Sequence, residues 1–136
     1  MRNKAPLALI EMLIMLAVFS LAAAWCLQAF AAADRISRES AARDRAVIEA
    51  QNAAELLQHY AGDHEKAARI YGGSWDGECW QISYDEDWKM TSERGSYLLR
   101  AEPAEAPHPL MGMSQVTVTM DGETLFSIPA AWQEER

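Results

Sequence analysis

The sequence predicts an α+β protein in which a long N-terminal helix, membrane-embedded over its first half, packs on a small antiparallel β-sheet. Three observations predict it. Leu7 to Ala33 is apolar apart from Glu11, Ser20 and Gln28. Residues 34–61 keep helix formers throughout, without proline or glycine, and the remainder changes to strand periodicity punctuated by turn residues.

The apolar run comes first. As a helix its 27 residues reach ~40 Å, more than the ~30 Å hydrocarbon core of a bilayer, so one span fits. A cleavable secretory signal would present the same three regions: Arg2 and Lys4, the apolar stretch, then the small residues Ala31, Ala32 and Ala33. Glu11 argues against that, because a carboxylate inside the apolar region costs roughly 2.5 kcal/mol or more on insertion. Cys26 does not suit a lipoprotein signal either, since bulky Trp25 precedes it where a small residue is required. Arg2, Lys4 and the free amine precede the span while Arg35, Arg38, Arg43 and Arg45 follow it, so charge bias alone decides no orientation.

Residues 34–61 continue the helix as an amphipathic segment. Val47, Ala50, Ala54, Leu57 and Ala61 recur at spacings of three and four, an apolar stripe flanked by Arg, Glu and Gln that calls for a sheet to cover. From Leu7 to Ala61 the helix would extend ~80 Å. A coiled coil would need a sustained heptad of large residues, and alanine dominates the stripe instead. Asp63 can cap a short second helix, His64 to Tyr71, which Gly72 and Gly73 stop.

The head, residues 62–136, reads as strands at Cys79–Tyr84, Ser96–Ala101, Gln115–Met120 and Glu123–Ile128, rich in β-branched and aromatic residues. Asp121-Gly122 between the last two is a hairpin signal suited to a type I′ turn. The three prolines between Glu102 and Gly112 make that stretch a loop or an extended connection, never a helix.

Charge excludes some partners. Without Arg2, Lys4 and Glu11 the chain keeps ten basic and nineteen acidic residues, a net of about −9 over residues 34–136, which repels nucleic acid and anionic lipid surfaces from the distal part. Cys26 lies in the apolar run and Cys79 in an expected strand, too little for a disulfide framework, and neither pairing nor redox state can be read from them. The one cluster with metal-ligating chemistry is Asp85, Glu86 and Asp87, three carboxylates that could hold a hard cation such as calcium; without the glycine and distal glutamate of a calcium loop, a solvated turn is the preferred reading. His59, His64 and His108 lack the spacing of a metal site or a neighbouring nucleophile and are expected at the surface. Trp75, Trp80, Trp88 and Trp132 could form an adhesive surface, but the expectation is that at least two build the core. No phosphate loop, paired catalytic carboxylates or nucleophile motif is present; neither catalysis nor a cofactor is expected.

Glu11 remains the residue that needs a function. A glutamate near a helix end can snorkel to headgroups, but its frame, Leu7-Ala8-Leu9-Ile10-Glu11-Met12-Leu13-Ile14 after a short basic leader, resembles the prepilin signature of type IV pilins and of secretion and competence pseudopilins. The resemblance covers about the first thirty residues. It implies a leader, residues 1–6, removed by a prepilin peptidase; Leu7 as the methylated mature N-terminus; and Glu11 at the fifth mature position, pairing with the amine of a neighbouring subunit. Pro6 stands where the family has glycine. The resemblance further implies a pilin-like fold and a structural, minor subunit of a type IV pilus or a secretion or competence pseudopilus, with the head extracytoplasmic. Its partners would be other pilin or pseudopilin subunits, the peptidase, an inner-membrane assembly platform and the bilayer. The rival readings are a single-span membrane-anchored binding or sensor module and a secreted domain behind a cleaved signal.

Overall fold

A computed structural model describes residues 4–134. The chain falls into two compact units, one ending at Ser40 and one beginning at Ala41. Helix α1, Ala5–His59, contributes to both without interruption.

In the first unit every described residue is solvent-facing. Leu7, Phe19, Trp25 and Phe30 are each more than 70% exposed, and the helix is long and apolar enough to cross a membrane. Side chains of this kind find a more favourable environment in hydrocarbon than in water. Pro6 sits in the first turn, where its missing N–H is no loss.

The second unit is the layered part. Over its last turns α1 buries Ala46, Glu49, Ala50, Ala53, Ala54 and Leu57. The seam is therefore offset from the expected stripe: Ala50, Ala54 and Leu57 lie on it, but Val47 is only half-buried and Ala61 is exposed. Ala61 leaves the stripe because the helix ends at His59 and Ala61 turns left-handed, with φ 50°, followed by Gly62 at 79°. The reversal is closed by the Gly62 N–H donating to the Leu57 carbonyl at 2.8 Å. Helix α2, His64–Tyr71, begins and ends as expected: the Asp63 carboxylate accepts from Lys66 N–H at 2.9 Å, and Gly72 N–H donates to Ala68 at 3.0 Å.

Six strands form one antiparallel sheet: β1 Ser74–Trp75, β2 Trp80–Tyr84, β3 Met90–Thr91, β4 Tyr97–Ala104, β5 Met111–Met120 and β6 Glu123–Gln133. The order is β1-β2-β4-β5-β6, with β3 also on β2. Alternation assigns each strand's inner row. Ile82, Leu99, Val118 and Phe126 align across four strands, as do Trp80, Ala101, Val116 and Ile128. These rows meet the alanine seam of α1 and Ala67 of α2 in one core. Full burial of Leu57, Ile82 or Leu99 contributes about 1.5–3 kcal/mol each, while the alanines contribute by letting helix and sheet approach closely.

The predicted hairpin turn is present, with positive φ at both Asp121, 50°, and Gly122, 85°. The strands run further than the alternation marked. Glu102, Pro103 and Ala104 belong to β4, and Met111 and Gly112 to β5, out of the stretch read as a connection. Proline is tolerated there because β2 pairs with β4 only as far as Ala101, so at Pro103 one side of β4 is already an edge. Pro129 is tolerated for the same reason within the edge strand β6. Of the tryptophans, Trp80 is fully buried, and Trp75, Trp88 and Trp132 are half-buried against the core.

Candidate functional site

On α1, Glu11 shares a surface patch with Lys4, Leu7, Ala8, Ile10, Ile14 and Met15, a face made by helical spacings of three, four and seven. Leu7 and Glu11 stand one turn apart, and Pro6 precedes them within the same helix. Among the described residues Glu11 forms no ion pair. Ser20 returns its hydroxyl to the Leu16 carbonyl at 2.7 Å, which leaves the Glu11 carboxylate and the Gln28 amide as the polar side-chain groups of this segment without such a local partner. A lone carboxylate on a helix this apolar must be neutralised by a proton or a cation wherever it enters hydrocarbon.

Below the apolar segment, Arg38 pairs with Asp34 at 3.1 Å and Arg35 approaches Glu39 at 3.9 Å, both one helical turn apart and both exposed. These contribute little to stability. They reduce the cationic character of the residues that follow the apolar segment.

The acidic cluster of the head is turn chemistry. Asp85 accepts the N–H groups of Asp87 and Lys89, both at 2.9 Å, and its own N–H donates to the Lys89 carbonyl. Glu86 and Asp87 point to solvent, and among the described residues no group of three His, Cys, Asp or Glu is placed to hold a metal. The turn delivers Trp88, with φ 60°, onto Tyr97, ring centroids 3.9 Å apart and nearly parallel.

Three polar arrangements escaped the sequence reading. Glu49, buried on the core side of α1, receives the hydroxyls of Tyr71 at 2.8 Å and Tyr84 at 3.0 Å on one oxygen and Arg45 at 2.9 Å on the other. Burial foremost, with the Glu49 charge beside them, pushes both tyrosines above their usual range. His64, expected at the surface, is buried: its Nε2 lies 2.8 Å from the Ser114 hydroxyl and its ring stacks on Trp75. Desolvation lowers its pKa. The first residue of a capped helix turns toward the sheet here, a placement that only tertiary packing decides.

The third surrounds Cys79. Its thiol lies 3.4 Å from Asp76 Oδ2, and its sulfur takes Gln81 Nε2 at 3.0 Å and the Arg100 guanidinium at 3.6 Å. Cys79, Asp76 and Arg100, with Trp75, Glu78, Glu102 and Pro103, border an open cavity of about 580 Å³. Asp76 also accepts the N–H groups of Glu78 and Cys79, and these bonds hold its carboxyl below the usual range. Arg100 is turned toward Glu102 at 2.5 Å, so the cation at the rim is already engaged.

The chemistry most in need of a partner is the apolar helix face around Glu11. Comparison with protein-family models, with curated proteins and with solved structures gave no match.

Proposed function

We propose that this chain is a minor structural subunit of a type IV pilus or of a secretion or competence pseudopilus, assembling through the apolar half of α1. The observation that carries the reading is the single carboxylate, Glu11, in the apolar first half of α1, whose large side chains are exposed. Two needs, a cover for those side chains and a counter-charge for Glu11, are met together if copies or homologues pack helix to helix. In that arrangement the amine of a processed Leu7 on one subunit neutralises Glu11 of the next, and the pair sets the axial register. The acidic head, held on the continuation of the same helix, then stands outside the membrane.

Mass spectrometry of the N-terminus from the native host tests it. A chain beginning at methylated Leu7 supports the subunit reading, and a start near Asp34 overturns it. With processing shown, Glu11→Ala is expected to remain in the membrane while losing incorporation into filaments; unchanged incorporation removes Glu11 from the mechanism.

Pro6 favours a second reading. The peptide bond after Pro6 lies inside the first turn of α1 and follows no glycine, and a chain that retains Met1 would leave an uncleaved subunit or a single-span anchored module.

A further inference from the structure

The two edges of the sheet differ. On one side the edge is blunted, since β2 is covered there by β1 and β3, two residues each. On the other, β6 runs for 11 residues with no strand on its free side among the described residues. Natural edges are protected by charge, by brevity, by proline or by a bulge, and the bulge of β6 lies near its start, at Leu125. β6 has no charged residue from Thr124 to Gln133, and Pro129 removes just one N–H from the row.

Its side chains are also left partly uncovered. Leu125, at the register shift, and Phe126, Ile128 and Trp132 pack against the core yet are only half-buried, as is Ala131 on the outer side; Ala130 alone of this row is fully buried, whereas Val116 and Val118, one strand further in, are both fully buried. One more strand would complete both rows. Asp121 and Glu123 bracket the uncharged stretch at its start and Glu134 at its end, all three exposed.

We propose that the free edge of β6 receives an extended segment of another protein by strand addition: about ten uncharged residues, apolar at alternate positions, with basic residues at both ends. Main-chain hydrogen bonds supply the affinity, alternate apolar side chains cover Phe126, Ile128 and Trp132, and the basic ends meet Asp121, Glu123 and Glu134. A second copy of this chain does not fit. Antiparallel pairing of β6 with itself over its uncharged stretch sets Glu123 of one copy opposite Glu134 of the other at both ends, and like charges so placed are repulsive. The inference does not depend on the filament reading, because it uses only the head.

The test uses the full-length chain in zwitterionic-lipid nanodiscs, with empty nanodiscs as baseline. The probe is a ten-residue alternating valine–threonine peptide carrying two lysines at each end, read by fluorescence anisotropy and by amide hydrogen exchange. Two companions are identical except that one has glutamates at its ends and the other is N-methylated at alternate peptide nitrogens. The lysine-ended peptide is expected to bind and to slow exchange within residues 124–133, and each companion to bind at least tenfold more weakly. Equal binding of the N-methylated peptide means charge attraction without strand pairing and overturns the proposal. So do equal binding of the glutamate-ended peptide, absence of slowed exchange in β6, and a concentration-dependent dimer that protects β6 without peptide.

Discussion

Tyr84 on β2 donates its hydroxyl at 3.0 Å to the carboxylate of Glu49 on α1, a bond that joins helix to sheet across 35 residues of chain. Tyr71 reaches the same oxygen from α2, so three elements meet on one buried acid. Removing Tyr84's hydroxyl leaves Glu49 with one donor fewer in a site closed to water. Hydrogen bonds to charged groups contribute about 1.5–3 kcal/mol, and Tyr84→Phe is expected to destabilise the head by that much, with Tyr71→Phe, at a half-exposed hydroxyl, costing less. Glu49→Ala strands two hydroxyls together and should exceed either. Urea unfolding of the detergent-solubilised chain, followed by tryptophan near-UV circular dichroism, checks the order; equal stability for Tyr84→Phe and the parent would remove this bond from the account of the head.

How much of this was legible beforehand depends on how local the signal is. The Asp63 cap, the glycines after Tyr71 and the Asp121-Gly122 turn act within four residues, and α2 and the turn of the last hairpin stand where they were read. Glu49 reads in sequence like any solvated helix glutamate, because its two tyrosine partners lie 22 and 35 residues away. The stripe was displaced because alanines carry little periodic contrast: Ala46 and Ala53 are on the seam, and nothing in their chemistry separates them from Ala42 or Ala61. Prolines hid the ends of β4 and β5, since a missing N–H matters only where a neighbouring strand needs it. The apolar segment with Glu11 was plain from the residues, whereas the Cys79, Asp76 and Arg100 grouping required the β2–β4 register.

His64 predicts a pH dependence. Its pKa lies below the usual imidazole value of 6.5 in the folded chain, mainly because burial disfavours the charged ring. As pH falls through 6.5 the unfolded chain takes up a proton that the folded chain refuses, so stability is lost between 6.5 and the lower folded-state value. Above that window the group has no effect. The parent is expected to lose stability from pH 7.5 to pH 5.5, and His64→Gln, which keeps a hydrogen-bonding partner for Ser114, to lose less. Equal slopes would assign the acid sensitivity elsewhere.

The ring of Trp132 lies over two glycines. A Cβ at Gly112 would meet Trp132 Nε1 at 2.2 Å, and one at Gly62 would meet the same indole at 2.1 Å. Gly62 also needs its positive φ, so Gly112 isolates the steric part. Gly112→Ala is expected to cost about 1–3 kcal/mol, as overpacking does, and to be partly relieved by Trp132→Phe in a double-mutant cycle. Gly77→Ala meets no atom within 4 Å and supplies a control in which only its φ of 102° is strained. Additive losses for Gly112→Ala and Trp132→Phe would contradict the close approach.

Pro6 separates the two proposed readings. In the first turn of α1 it supports the helix, since no hydrogen bond is asked of its nitrogen, and it also fixes φ at the residue where the prepilin family places a flexible glycine. A peptidase that must hold residues 6 and 7 extended therefore meets resistance from the proline ring and from the helix that includes it. Pro6→Gly weakens both. In a host that supplies a prepilin peptidase, Pro6→Gly is expected to raise the fraction of chains beginning at Leu7 several-fold over the parent, read by intact-mass spectrometry after membrane extraction. Pairing that substitution with Glu11→Gln separates cleavage from assembly: the double variant should still be cut, because the bond after residue 6 is untouched, and should no longer enter filaments. A Pro6→Gly chain that keeps Met1 in full would show that this N-terminus is no peptidase substrate, and would leave α1 as a permanent anchor for the head.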